Sequence, residues 1–329
     1  MLPKKIPTMV GGAHPTFLPE DTLQQTKCTF VIRGEAETVL RDVMDDMDDP
    51  YNMRLKREYV GQMAPVDLIP EPARNLVNLK RYTPGGDKAT PVYTSRGCPF
   101  NCRFCSKITG NKYREFSVER VIDEVRDVVG YGFKKVVFGD DNLGINPSRL
   151  HSLLDALTPI GIKFRLNMDA RHPDQALFEH AYTAGCTDIS FGIESGSQKI
   201  LDAMNKQTTV TKNRDAIKLT QKCGMEAKAY FMVNYPGETE ETVKETLKFV
   251  EEARPDRWML SAFSPLPGSY VYIHPKEFGI TSMSKNWSDY YLVGKDGKFN
   301  PCFTTEYLTY EKQIELHDMM FNGLKEIIG

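Results

Sequence analysis

The sequence predicts an α/β protein: an incomplete (β/α)6 barrel preceded by a small α/β fragment. Three observations carry that prediction. From residue 90 onward, six short apolar runs alternate with amphipathic helical patterns. The residues able to do chemistry fall where those runs end, which is where parallel barrels keep their sites. Ahead of the barrel stand two more short apolar runs and a helix, set off by a proline-rich stretch.

In chain order, Ile6–Val10 reads as a buried strand running into the Gly11-Gly12 turn, and Cys28–Ile32 as a second strand. Arg33-Gly34-Glu35-Ala36-Glu37-Thr38 opens a helix that runs into the acidic Asp45–Asp49 stretch. Residues 1–49 are therefore expected as the small α/β fragment. Residues 50–89 carry Pro65, Pro70, Pro72, Pro84 and Gly85-Gly86 and read as a linker. The barrel is expected over 90–270. Its strands are Pro91–Ser95, Lys135–Gly139, Lys163–Met168, Asp188–Ile193, Ala227–Val233 and Trp258–Phe263. All are apolar and partly β-branched or aromatic, as strands buried on both faces should be. Ser117 caps the first helix, whose apolar face is Val121, Ile122, Val125, Val128 and Val129. Pro147 opens the second, with Leu150, Leu153, Leu154 and Leu157. Pro173 opens the third, with Ala176, Leu177 and Phe178. Lys212–Cys223 and Glu238–Glu252 give the fourth and fifth. Residues 271–329 are expected as a tail with a helix, in which Trp287, Tyr290, Tyr291 and Phe299 serve packing or line a substrate mouth.

The 329 residues are 40% hydrophobic and 26% charged, the balance of a soluble globular protein. No apolar run approaches the ~20 residues needed to cross a bilayer, and no signal-peptide core follows Met1–Lys5. A cytoplasmic protein without a membrane partner is expected. Seven cysteines, an odd number and partly clustered, suit metal binding in a reducing compartment better than disulfides. A net charge of −2 argues against a broad nucleic-acid surface. One local basic stretch, Arg96, Arg103, Lys107, Lys112 and Arg114, reads as a solvated rim or an anion site.

Cys98, Cys102 and Cys105 lie on one short loop directly after the first barrel strand, spaced C-x3-C-x2-C. Zinc usually takes four ligands, and no fourth cysteine or histidine lies nearby in sequence. Three thiolates on a cubane iron–sulfur cluster would leave one iron open to a small molecule. The other strand ends carry matching chemistry. Asp140 and Asp141 form an acid pair that wants a cation or a ligand amine, or else caps the following helix. Arg171 suits a carboxylate or a surface ion pair. Glu194 follows the fourth strand. Cys28, Cys186 and Cys223 read as small core residues, and Cys302 as a weak second thiol candidate.

The cysteine spacing, with Phe104 before the last cysteine, resembles the cluster loop of the radical S-adenosylmethionine (SAM) superfamily. Gly192-Ile193-Glu194-Ser195-Gly196-Ser197, running on to Leu201, Met204, Asn205 and Lys206, resembles the family's fourth strand end. Pro236-Gly237-Glu238-Thr239 and Ser264–Ser269 resemble its next turns. The resemblance implies a [4Fe–4S] cluster on Cys98, Cys102 and Cys105, with SAM chelated to its open iron. It implies cofactor contacts by Phe104, Asp140, Asp141, Arg171, Glu194, Ser195, Tyr230, Met232 and Asn234. Asp141, ahead of Asp140, would take the methionine amine, Arg171 the carboxylate and Glu194 the ribose. Tyr230, Met232 and Asn234 would lie at the adenine, with Asn234 standing where the family more often has glycine.

Gly11-Gly12-Ala13-His14-Pro15-Thr16, Arg33-Gly34-Glu35-Ala36-Glu37 and Pro70–Leu76 resemble the last part of a cobalamin-binding domain and its connector. That resemblance implies the cobalamin-associated branch, with a truncated N-terminal domain. No D-x-H-x-x-G loop is present, and His14 reads as a turn histidine. Cobalamin is accordingly expected to be absent from this chain alone, unless a separate chain supplies the missing half. The implied activity is reductive SAM cleavage to a 5′-deoxyadenosyl radical that acts on a small-molecule or peptide substrate, with an external electron donor. A cobalamin-dependent methyltransferase, an iron–sulfur electron carrier and a zinc-stapled binding module stand as alternatives. A tRNA methylthiotransferase would want an RNA-binding domain for which residues past 270 leave no room.

Overall fold

The structure, a computed structural model, describes residues 6–49, 54–82, 89–290 and 300–329. Pro84, Gly85 and Gly86 of the expected linker, and the tail aromatics Tyr291 and Phe299, lie outside these ranges.

The chain opens with a small unit: β1 (Met9–Val10), α1 (Ala13–Phe17), α2 (Pro19–Thr26), β2 (Phe30–Arg33), α3 (Leu40–Met47) and β3 (Glu58–Val60). The three strands form a parallel sheet in the order β1-β2-β3. Phe30, Ile32, Val43 and Tyr59 give it a core of its own. Sequence patterning predicts only two of these strands. The third falls in the proline-rich stretch, where three residues are too few to show an alternation. That stretch also packs against the barrel. Ala64, Val66 and Ile69 join the main core, and the Arg74 guanidinium reaches Glu124 at 2.7 Å and Pro91 O at 2.9 Å. Its prolines punctuate 3-10 turns at Val66–Leu68 and Arg74–Leu76.

The barrel follows: β4 (Ala89–Val92), the hairpin strands β5 (Ser95–Arg96) and β6 (Arg114–Glu115), then α4 (Val118–Gly130), β7 (Lys135–Phe138), α5 (Pro147–Leu157), β8 (Lys163–Met168), α6 (Gln175–Ala184), β9 (Cys186–Glu194), α7 (Gln198–Ala203), α8 (Val210–Lys222), β10 (Glu226–Val233), α9 (Glu240–Ala253) and β11 (Arg257–Ala262). Six strands form one parallel sheet ordered β4-β7-β8-β9-β10-β11. Strand order equals chain order, because each helix returns the chain to the next free edge. The expected strand Pro91–Ser95 divides: β4 stops at Val92, and Ser95 belongs to the hairpin. Side-chain oxygens cap the helices. Ser117 accepts from Arg120 N, Asn146 from Arg149 N and Thr209 from Lys212 N. Asp174 caps α6, so that helix starts two residues after Pro173, the expected opening residue.

Strand periodicity sorts the two faces of the sheet. Leu166, Ile189, Phe191, Ala229 and Phe231 are buried in the core. Their alternates Asn167, Ser190, Gly192 and Tyr230 face a cavity inside the half-barrel. The tail adds α10 (Tyr270–Ile273), the antiparallel pair β12 (Ile280–Met283) and β13 (Phe303–Thr305), and α11 (Tyr310–Ile328). Leu316, Met320 and Leu324 of α11 are buried against the barrel. Trp287 serves packing: its Nε1 donates to Asp21 at 2.8 Å and its ring meets His14 edge-on. Among the described residues, no helix is long and apolar enough to cross a membrane.

Candidate active site

The β5–β6 hairpin closes the loop that carries the three cysteines, pairing Ser95 with Glu115 and Arg96 with Arg114. Gly97 turns the chain into the loop at φ 82°, where a side chain would strike the Lys112 carbonyl. Gly97 N donates to Thr109 Oγ1 at 3.1 Å, and Cys105 N to Cys102 O at 3.2 Å. Arg103 N donates to Met204 O at 2.9 Å and ties the loop to the end of α7.

Cys98, Cys102 and Cys105 line one cavity of about 430 Å³ at the C-terminal ends of the barrel strands. Phe104, Asp140, Asp141, Arg171, Glu194 and Tyr230 share its wall, so the fold brings together most of the residues singled out from sequence. Ser195, Met232 and Asn234 are not in that wall. Ser195 Oγ bonds Thr246 Oγ1 at 3.1 Å and accepts from Ser197 N. Met232 packs at the edge of the core. Asn234 is fully buried at φ 70°, and its side-chain amide donates to Gln313 O at 3.0 Å. Its backbone N–H donates to Glu238, whose carboxyl burial pushes up to about 8.

No three His, Cys, Asp or Glu side chains among the described residues are grouped to hold a single metal ion. The thiols share a cavity wall instead, which suits a larger body such as a cubane cluster. Burial pushes the Cys105 thiol up to about 11 and raises Cys98 as well, with Cys102 and Asp141 adding to both. A cationic cluster would reverse that balance by taking the thiolates.

The acid pair divides. Asp140 is buried, and its carboxylate accepts from Thr94 N at 3.1 Å, Thr94 Oγ1 at 3.0 Å and Ser95 Oγ. It fastens the start of the cysteine hairpin to β7. Among the described residues Asp141 has a single long hydrogen-bond contact, 3.5 Å from Thr109 Oγ1, and burial raises its carboxyl. Its oxygens stay open to the cavity.

Arg171 is already engaged. Nε and Nη2 donate to Lys206 O at 3.0 and 2.7 Å, and Nη1 to Asp169 Oδ2 at 3.1 Å. Nη2 also lies 3.8 Å from Cys102 Sγ, and the guanidinium sits 3.5 Å over the Phe100 ring. That arrangement leaves no open fork for a bidentate grip on a carboxylate.

Lys206 is the cation that sequence reading missed. It is buried, and its Nζ donates to Glu194 Oε1 at 2.9 Å and faces the Phe104 ring at 5.6 Å. Burial works against its charge, but Glu194 and then Cys102 outweigh burial and hold it protonated. Glu194 sits at φ 64°, the end of β9, where the chain turns its carboxylate back over Gly192. The signal was available: a lysine twelve residues after a strand-end acid, inside the same family-like run.

The half-barrel thus sets three thiols, an open acid and a buried ion pair around one cavity at its strand ends. The chain belongs to the radical SAM superfamily, whose sequence profile matches residues 92–250. It is 30% identical over 323 residues to an uncharacterized methyltransferase of Pyrococcus horikoshii, covering 92% of this chain and 69% of that protein. It is 28% identical to bacteriochlorophyllide d C-8(2)-methyltransferase of Chlorobaculum tepidum, covering 94% of this chain and 71% of that protein. The structure superposes on the methyltransferase TsrM of Kitasatospora setae, solved with cobalamin and a [4Fe–4S] cluster bound, at a TM-score of 0.67 and 17% identity. That match covers 83% of this chain and 60% of TsrM. With OxsB, a cobalamin-dependent radical enzyme, the TM-score is 0.63 at 20% identity, over 97% of this chain and 48% of OxsB. The chain thus spans about half to three-fifths of these solved proteins.

Proposed function

We propose that this chain binds a [4Fe–4S] cluster on Cys98, Cys102 and Cys105 and SAM in the adjoining cavity, and that it transfers a methyl group to a small-molecule acceptor. One observation carries the reading: the three thiols, open Asp141 and the Lys206–Glu194 pair line a single cavity in a chain similar to methyltransferases. The resemblance read from sequence implies a 5′-deoxyadenosyl radical acting on an unspecified substrate, with the type of transfer open and a cobalamin-dependent methyltransferase as one alternative. The relatives favour methyl transfer.

The cluster, when bound, would supply one electron that breaks the C5′–S bond of one SAM, and the transferred methyl group would come from a second SAM, leaving S-adenosylhomocysteine. The chain's own residues do the rest. Asp141 offers an acceptor to an ammonium group. Lys206, with only one of its three donors on Glu194, has two left for a carboxylate, which Arg171 cannot grip with both arms. Glu194 can keep one oxygen on Lys206 and offer the other to a ribose diol. Tyr230 and Phe104 give the cavity flat apolar surface.

A corrinoid reading is supported by the likeness to cobalamin-dependent enzymes and by one observation in this chain. A cavity of about 420 Å³ lies at the strand ends of the small sheet, lined by Gly12, Gly34 and Glu37, and it shares Ile108, Thr109 and Asp141 with the SAM cavity. Three strands of two to four residues do not enclose a corrinoid with its nucleotide tail. The residues present do not fit the whole group, so no step is drawn through it.

The test is anaerobic reconstitution with iron, sulfide and methyl-labelled SAM, followed by product analysis with candidate acceptors. Label in an acceptor is the expected result. Stoichiometric 5′-deoxyadenosine with no methylated product from any acceptor would return hydrogen abstraction to first place.

A further inference from the structure

Arg171 lies three residues past β8, and the resemblance read from sequence assigns it the carboxylate of SAM. Its fork is closed to that ligand. A guanidinium has five N–H groups, and this one makes four contacts. Nε and Nη2 share Lys206 O, Nη1 takes Asp169 Oδ2, and Nη2 also faces Cys102 Sγ at 3.8 Å. The side chain is only 5% exposed. Its guanidinium lies 3.5 Å over the ring of Phe100, two residues before Cys102. A carbonyl, a carboxylate and a ring therefore fix one donor toward a single sulfur.

The three thiols differ in what surrounds them. Cys98 meets a donor of its own loop, the Phe100 N–H. Cys105 has Asp141 and the other two thiols as neighbours, all opposed to negative charge on it, with Lys107 acting the other way. Cys102 meets a side chain brought in from another strand end, and the Lys206 ammonium is attracted to the same sulfur. Two buried cations thus converge on one of the three thiols.

We propose that Arg171 is a positioning residue that acts through Cys102, its N–H···S contact raising the reduction potential of the [4Fe–4S] cluster. The proposal rests on the cluster reading above. The potential of such a cluster follows its net charge and the hydrogen bonds to its sulfurs. Reduction adds one electron, and part of that charge falls on the ligand sulfurs. A donor held against one of them stabilises the reduced form more than the oxidised form. Asp169 offsets part of the guanidinium charge, but it occupies the other arm and leaves Nη2 on the sulfur. The contact sits in a buried wall, where a fixed charge acts more strongly than in water. The fork is in place before any electron arrives, so little reorganisation accompanies the transfer. No bond forms or breaks. Outer partners of metal ligands tune a centre in this way.

The experiment is a potentiometric titration of reconstituted protein followed by EPR, without SAM, poised with titanium(III) citrate through redox mediators. It compares wild type, Arg171→Met and Arg171→Lys. In Arg171→Met the ratio of reduced to oxidised cluster at the wild-type midpoint is expected to fall about tenfold, a midpoint lower by about 59 mV for one electron. Arg171→Lys is expected to fall in the same direction by less, because one ammonium keeps the charge but cannot span Lys206 O and Cys102. A purely structural residue would change iron content and melting and leave the midpoint of the loaded fraction in place. A wild-type midpoint in Arg171→Met holding four irons would overturn the proposal. So would an unchanged midpoint together with SAM bound about tenfold more weakly, which would return Arg171 to the carboxylate. If Arg171→Met takes up no cluster, Arg171→Lys decides, and a wild-type midpoint there overturns the proposal equally. Loss of the cluster from both variants would overturn it too, since a tuning contact is not needed for assembly. Failure of the wild type to take up four irons is read separately by iron and sulfide analysis and would overturn the cluster reading itself.

Discussion

Arg114, on the closing strand of the cysteine hairpin, donates through both arms of its guanidinium to the Glu35 carboxylate at the end of β2. Arg114 Nη1 also donates to Ala64 O at 2.8 Å, and Ala64 N to Glu35 at 3.1 Å. The small N-terminal sheet is thereby locked to the loop that carries the thiols.

Glu35→Ala should cost roughly 3 kcal/mol of stability, because it leaves a guanidinium that is 10% exposed without its partner. Burial works to raise the Glu35 carboxyl, but Arg114, Ala64 N and Arg96 outweigh it and hold the pKa below the ordinary 4.5. The contribution is therefore complete above about pH 4.5 and is lost as pH falls through the folded-state value. Denaturant melts of wild type and Glu35→Gln between pH 7 and 3 should converge at the acid end. A constant gap down to pH 3 would remove the ion pair from the account.

Cys98→Ala, Cys102→Ala and Cys105→Ala should each abolish the four-iron cluster and SAM cleavage, since each thiolate would supply one of only three protein bonds to it. Cys186→Ala and Cys223→Ala should leave iron content unchanged; both lie in or against the core, away from the cavity. Iron and sulfide analysis after anaerobic reconstitution checks all five. A full four-iron complement in any of the first three would sink the ligand assignment.

Asp140→Asn and Asp141→Asn should behave differently although the residues are adjacent. Asp140 accepts from a buried amide and two hydroxyls, so its loss should lower thermal stability by about 2 kcal/mol or more. Asp141→Asn should melt like wild type and bind SAM about tenfold more weakly. Thermal scans and SAM titrations separate the two. A reversed pattern would exchange their roles.

Glu194→Gln should raise the SAM dissociation constant about tenfold without loss of iron, because it removes a charge-assisted contact. Lys206→Met should weaken SAM as well and should also destabilise the fold, since it leaves the Glu194 carboxylate buried and unpaired. In Lys206→Met/Glu194→Gln stability should largely return while SAM affinity does not. Wild-type SAM affinity in the double variant would exclude both residues from the site.

The corrinoid question has its own measurement. We expect equilibrium dialysis against hydroxocobalamin, with and without SAM, to leave no stoichiometric corrinoid on this chain alone. Retention at one per chain would prove that wrong and make corrinoid-carried methyl transfer the leading mechanism.

The sequence by itself determined what covalent spacing and local periodicity can carry. Three cysteines within eight residues must share a loop whatever surrounds them. Apolar runs of strand length between helical patterns fixed the half-barrel, and Lys163–Met168 is found with its expected bounds. Short runs and prolines carried less: β3 and the packed stretch around Val66 left no period to read. Tertiary structure decided which polar groups remain free, because hydrogen-bond saturation depends on neighbours distant in the chain. Asp140 is occupied by Thr94, 46 residues away, and its neighbour Asp141 is not. Arg171 is engaged by the carbonyl of Lys206, 35 residues on, while the Lys206 side chain turns to Glu194. Arg114 is neutralised by Glu35, 79 residues back, and Arg103, three residues from two of the thiols or nearer, is left facing solvent. No spacing rule encodes those choices. They follow from which donors and acceptors the packed sheet brings within about 3 Å of one another.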